Sequence, residues 1–296
     1  MKNLTRKITL SLVAILFAVI ALGTTTYAWF TLGTTATVGT VSGSVTSGEG
    51  IEISLDGKTW VNTLSTEALT AYINDNAKNL NLTDLTKTTD GVGFVKNNGT
   101  TDGAEAVENA DYLVLPIQVR AIGNAAKKTL YVQNVVLNDS GFNWTADVTV
   151  DNVIVEGQSY KVYASDAARV TFSQNDKCVT YYAEHTDAGI KGTDATSAET
   201  VENSFAFKYA EIKKYDTTKL PAFQANDTTY QQAKNGTESI DDKKAIVDSL
   251  PENQTAVTVN VYIWLNGYDQ HCINPILGKS LNVSFEFVID STTQNN

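Results

Sequence analysis

Polar and apolar residues alternate along most of this chain, most regularly near its end. Val257, Val259, Val261, Ile263 and Leu265 hold every odd position of one run, and Leu281, Val283, Phe285, Phe287 and Ile289 those of another. A period of two puts successive side chains on opposite faces of an extended backbone, so both runs predict half-buried strands, a strand pair at the centre of the core. Leu113, Leu115, Ile117 and Val119 repeat the pattern around Pro116, which cannot donate to a ladder and so points to a sheet edge. Shorter runs cover residues 130–137, 146–155, 160–164, 169–172, 179–183 and 205–212, with turn-forming residues at 138–141, 156–157 and 165–166. The helices that a parallel α/β sheet needs between strands are missing. The predicted class is all-β, an antiparallel β-sandwich or jelly roll, with one or two short peripheral helices and an N-terminal signal helix ahead of it.

Two stretches carry helical signals. Ser65 or Thr66 caps a short helix through Leu69, Tyr72 and Ile73, and Ser239 with Asp242 caps another through Ala245, Ile246 and Leu250, stopped by Pro251. Ile51, Ile53 and Leu55 alternate into Asp56-Gly57, a hairpin turn signal. The string from Ser54 to Trp60 resembles the Asp-box hairpin of sialidase-like propellers, but it occurs once and one residue short, so it reads as a turn only. Residues 61–110 look like an insertion, polar from 74 onward, and 186–202 is a second polar connection. Residues 51–296 therefore read as one sandwich domain carrying polar insertions near 74–110 and 186–202.

The first thirty residues obey a different rule. Lys2, Arg6 and Lys7 precede an apolar run over residues 8–22, and small or polar residues lead to Ala28. This is the order of a secretory signal, and its apolar core is shorter than the roughly 20 residues of a membrane span. Cleavage between Ala28 and Trp29 is expected; the alternative is an uncleaved anchor with Tyr27, Trp29 and Phe30 at the lipid interface. Residues 29–50 then form an N-terminal segment in which Phe30, Leu32, Ala36 and Val38 share one strand face. Val41 and Val45 fall in the opposite phase, which predicts a bulge or break near Gly39.

The formal charge of −11, which becomes more negative without the basic leader, disfavours nucleic acid and anionic lipid as partners. Cys178 and Cys272 are the only cysteines, and either one disulfide or two buried thiols fits an exported chain. With only His185 and His271, and neither an HExxH nor a GxSxG string, no catalytic set assembles. Asp269, His271 and Cys272 are metal-binding residue types, but three positions in four do not surround a zinc ion, so they read as structural. Asp90, Asp102, Glu105 and Glu108 lack the spacing of a calcium loop. No cofactor, metal or catalytic residue is assigned, and the chain is not expected to be an enzyme.

From Lys7 to about Gly50 the chain resembles the TasA/camelysin group of exported Gram-positive surface proteins: a basic head, an apolar run, Tyr27-Ala28-Trp29-Phe30-Thr31, then a Thr- and Val-rich strand. The resemblance implies export, a jelly-roll body and, in some members, extracellular fibres in which an N-terminal segment completes the next subunit's sheet. Carried over, residues 29–45 are the candidate donor strand, with Phe30, Leu32, Ala36, Val38, Val41 and Val45 as its apolar positions. The metallopeptidase activity that the camelysin label implies is not carried over, for want of a zinc motif. The expected function is that of a secreted or surface-associated structural protein, a subunit of a fibre or biofilm-type matrix that binds itself or homologous subunits. Membrane contact is expected only through an uncleaved leader. One rival is a glycan-binding module using Trp144, Tyr181, Tyr182 or Trp264. Another is a hydrolase built on acidic pairs drawn from Asp147, Asp151, Glu184 and Glu286.

Overall fold

A computed structural model of the chain describes residues 41–48, 50–87, 93–96, 105–150, 153–175, 177–190, 231–235 and 243–289. These residues form an all-β sandwich of two facing sheets. The first is built on β16 (Leu281–Ile289), with β8 (Leu130–Asn138) antiparallel on one side and β14 (Lys244–Val247) beyond it. On its other side β16 takes β1 (Val41–Ser42) and β2 (Val45–Ser47) in parallel, with β4 (Thr63–Leu64) outermost. The second sheet is built on β15 (Val257–Asn266). β11 (Ala168–Gln174), β12 (Lys177–Tyr182) and β13 (Gln231–Gln232) follow on one side; β7 (Leu113–Ala121) and β3 (Ile51–Ser54) lie on the other.

The alternation fixes which faces meet. Val259, Val261, Ile263 and Leu265 of β15 and Leu281, Val283, Phe285 and Phe287 of β16 are all buried. Phe172 of β11 spans the gap, with its ring edge-on to Phe285 at a centroid distance of 4.7 Å. The two C-terminal runs are thus central, as their pattern predicts, but in opposite sheets and not as a pair. The intervening chain crosses from one sheet to the other through a 3-10 turn at Asn274–Ile276.

Four local expectations are corrected. The stretch expected to be a helix after Ser239 contains the strand β14: Ile246 and Val247 are buried along the edge of β8, where pairing supplies backbone partners that a marginal short helix lacks. In the run at 146–155 the described residues carry an isolated bridge between Val150 and Ile154 instead of a strand, and both side chains are fully buried, so their hydrophobicity reflects burial. The run at 160–164 is split between β10 (Ser159–Val162), which pairs with β9 (Phe142–Thr145), and a single buried helical turn, α2 (Ala164–Ala167). The polar stretch after residue 74 contains β5 (Asp84–Lys87) and β6 (Phe94–Lys96), and β5 pairs with the end of β15. The expected strand at 205–212 lies outside the described residues.

Other expectations match. Helix α1 (Thr66–Asn76) starts at Ser65, whose side chain accepts from the Ala68 amide at 3.3 Å. Residues 54–60 form the turn expected at Asp56-Gly57, closed by reciprocal backbone bonds between Ile53 and Val61. The amides of Thr59 and Lys58 donate to the Asp56 carboxylate and hold its pKa well below the usual range. Pro116 is opposite Asn260 of β15, beyond the point where β3 pairing ends at Gln118, so β7 is interior overall but one-sided at its proline.

Truncating Phe172 to Ala removes the ring that touches both sheets and should cost about 3–5 kcal/mol. Urea unfolding should show a lower midpoint at an unchanged slope.

Candidate functional site

The N-terminal strand is the element on which the assembly expectation depends. Val41 pairs with Leu281 and Val45 with Phe285, one continuous parallel register carried across Gly43 and Ser44. Gly43 lies so close to β16 that a Cβ built on it falls 1.5 Å from the carbonyl oxygen of Val283. No other residue fits there without parting the strands. The carbonyl of Gly43 accepts a 2.8 Å bond from Thr66 Oγ1 in the first turn of α1, and Ser47 donates its amide to Asn62 across β4. Val45 is fully buried and Val41 nearly so. Together with Leu69 and Ile73 of α1 they line a small apolar cavity over Leu115 and Ile263. The strand is therefore a row of small apolar plugs laid against β16. Of the predicted donor positions, Val41 and Val45 are in it; Phe30, Leu32, Ala36, Val38 and the Ala28-Trp29 junction lie outside the described residues, as does Gly39.

A polar centre sits around the start of β11, and both histidines of the chain belong to it. The His185 and Asp166 side chains meet at 2.6 Å between Nδ1 and Oδ1, and those of His271 and Asp269 at 2.9 Å. Arg169 joins the pairs: one guanidinium nitrogen donates to Asp269 Oδ2 at 2.5 Å, the other to the carbonyls of Asp166 and Ala168. His185 stacks on Tyr163 at 3.7 Å, and its Nε2 lies 3.1 Å from Asn138 Oδ1. Burial opposes ionisation of Asp269, but the Arg169 charge and the His271 contacts outweigh it and hold its carboxyl well below the usual range. Such a buried network fixes geometry where α2, the end of β12 and the turn after β15 converge.

The chemistry available to this centre is limited. The Ser165 hydroxyl donates to Asp139 at 2.6 Å, and His185 Nε2 faces an amide oxygen, so these two do not form a nucleophile and base. Among the described residues no group of three or more His, Cys, Asp or Glu is placed to hold a metal ion. Asp269 and His271 are turned toward each other and Arg169 rather than toward a shared ion with Cys272.

The two cysteines carry no disulfide. Cys178 faces Ser173 near the β11–β12 turn, whereas Cys272 feels the charges of Asp84, Asp269 and Arg169. From Ser173 to Arg169 is four residues of strand, about 13 Å, well beyond the ~7 Å Cα limit for a bridge. Burial, reinforced by Asp84 and Asp269, pushes the Cys272 thiol up.

The residues proposed for the rival functions are placed as follows. Tyr181 and Trp264 are core residues, not a glycan platform: Trp264 is 1% exposed, covered by Phe94 at 4.9 Å and by Leu85 beneath the β5–β6 hairpin. Tyr182 is half-buried beneath Arg169, and Trp144 is half-buried beside Tyr160. Glu286 is on β16, whereas Asp147 follows β9 and Glu184 follows β12 in connections, and Asp151 lies outside the described residues. Of the possible cation ligands Glu105 and Glu108 are exposed, while Asp90 and Asp102 lie outside the described residues.

No family model, curated protein or solved structure matches the chain. Among the described residues no helix is long and apolar enough to cross a membrane.

The sequence shows the Asp269-x-His271 spacing, but Asp166–His185 and Arg169–Asp269 are long-range meetings with no local signal. Because the Asp269 carboxyl is depressed on folding, its stabilisation is complete above the unfolded value near pH 4 and is lost as pH falls toward the lower folded value. Asp269→Asn should cost about 3–5 kcal/mol at neutral pH and flatten the acid limb of a stability-against-pH curve. In denaturant without reductant, both thiols should react with a chromogenic disulfide, while in the native protein Cys272 should react far more slowly.

Proposed function

We propose that this protein is a secreted or surface-associated structural subunit that assembles with further copies through its N-terminal strand. The observation that supports the reading most is the parallel seating of Val41–Ser42 and Val45–Ser47 beside β16. That place in the sheet is filled by small plugs whose contacts lie in the sandwich body or α1. The same contacts are available to the equivalent segment of a neighbouring copy, which is the geometry of strand exchange. The resemblance of residues 7–50 to the TasA/camelysin group supports export and assembly in the same sense. Activity as a fibre or matrix subunit then needs no catalytic centre, and the buried histidine pairs serve to hold the body rigid.

The test compares the chain beginning at Trp29 with the chain beginning at Gly50 by negative-stain microscopy. Filaments from the longer chain only are expected; compact monomers from both overturn the reading. As the shorter chain loses the burial of two valines, about 1.5–3 kcal/mol each, a synthetic peptide of residues 38–48 should bind it and restore its thermal midpoint. Gly43→Val in the longer chain should abolish filaments, since its side chain would occupy the Val283 carbonyl.

A further inference from the structure

On the outer face of the first sheet, three side chains from three separate segments meet in a line. Lys234 Nζ donates to Asn134 Oδ1 at 2.7 Å, and Asn134 Nδ2 donates to Glu286 Oε2 at 2.8 Å. The amine therefore rests on the carbonyl of a carboxamide whose nitrogen is held by a carboxylate. We propose that this is an autocatalytic cross-linking site, where Lys234 and Asn134 join in an amide bond with Glu286 as proton relay.

The backbone is arranged to make this meeting. Ser284 pairs with Val136 and Glu286 with Gln133, so Asn134 and Val135 together face Phe285 in a β-bulge. Asn134 takes the left-handed conformation there, with φ of 53°. As a result Gln133 and Asn134, neighbours in sequence, both send their amides to Glu286 Oε2, at 2.9 and 2.8 Å, where regular alternation would put them on opposite faces. Lys234 is anchored independently: its amide donates to the Val135 carbonyl at 2.8 Å, and its own carbonyl accepts from the Leu137 amide at 2.9 Å. Non-glycine residues in that conformation concentrate at functional sites, and fixing two reacting groups in contact replaces a bimolecular encounter by a unimolecular one.

The reaction is balanced without oxidant, metal or cofactor. The neutral Lys234 amine attacks the Asn134 carbonyl carbon, forming the Nζ–Cγ bond and a tetrahedral centre with its negative charge on Oδ1. Nζ gives up its proton to solvent, and Glu286 Oε2, which holds Nδ2 at the other end of the carboxamide, passes a solvent proton to Nδ2. The Cγ–Nδ2 bond then breaks and ammonia leaves, so one secondary amide replaces a primary amide and an amine. Because only the uncharged amine attacks, alkaline buffer speeds the reaction. The product ties the Gln231–Gln232 segment, which pairs with the second sheet through β12, to β8 of the first sheet. The two sheets would then be joined covalently in a protein whose cysteines are not bridged, and the inference holds whether or not the protein assembles.

The test is the intact mass of the purified full chain after incubation at neutral and at alkaline pH, followed by tandem mass spectrometry of its tryptic peptides. The expected result is a mass lower by one ammonia and a branched peptide joining Asn134 to Lys234, formed faster at alkaline pH. Lys234→Arg keeps the charge but not the nucleophile, and it should retain full mass. Glu286→Gln keeps an acceptor but not a proton carrier, and it should slow the loss strongly. All of these side chains lie on the outer face, and unchanged circular dichroism checks that the variants fold. Full mass and no branched peptide in the unmodified protein after alkaline incubation would overturn the proposal. An ammonia loss that persists in Lys234→Arg would also overturn it, since that loss marks succinimide formation at an Asn-Gly pair.

Discussion

Burial of the inward faces of β15 and β16 against each other, bridged by Phe172 on Phe285, is the constraint on which the other elements depend. Neither face is closed by its own strand. β15 needs β11 and β7 beside it, and β16 needs β8 and the N-terminal strand. Phe285 makes the last dependence concrete, because its register partner is Val45, and the small valine and the missing side chain of Gly43 set how closely that strand approaches. Packing at this density leaves little room for a different residue size.

The second sheet differs from the first in being covered outside as well. Leu85, Phe94, Tyr112 and Trp264 form a second small apolar cluster, with Tyr262 packed on it. Trp264 Nε1 also reaches Thr171 Oγ1 at 3.1 Å, and that hydroxyl meets Thr180 at 2.9 Å. The outer face of β15 is thus a second core, and aromatic residues suited to stacking on a sugar act here as structural cover. The outer face of β16 instead keeps Asn282, Ser284 and Glu286 on the polar side of the alternation, which leaves Glu286 available to Asn134 and Gln133.

Where α2 and the turn after β15 approach the start of β11, closure is polar rather than apolar. Buried carboxylates and a buried guanidinium are expensive to desolvate, and each must meet a partner in good geometry. Arg169 meets this need by bonding one aspartate through its side chain and the other through its backbone carbonyl. The arrangement ties together residues distant in sequence and engages both histidines.

The sequence by itself determined the class of fold, the faces of the long strands, the cap of α1 and the turn at Asp56-Gly57, because each depends on period or on contacts within a few residues. It did not reveal that the two clearest strands belong to opposite sheets, that β14 is a strand, that Trp264 is covered, or that a bulge turns Asn134 toward Glu286 and Lys234. Those depend on which strand lies beside which, and hydrophobic alternation is the same for every possible neighbour. Only the tertiary structure decided them, because a short segment such as 244–247 takes its conformation from the surface it is buried against.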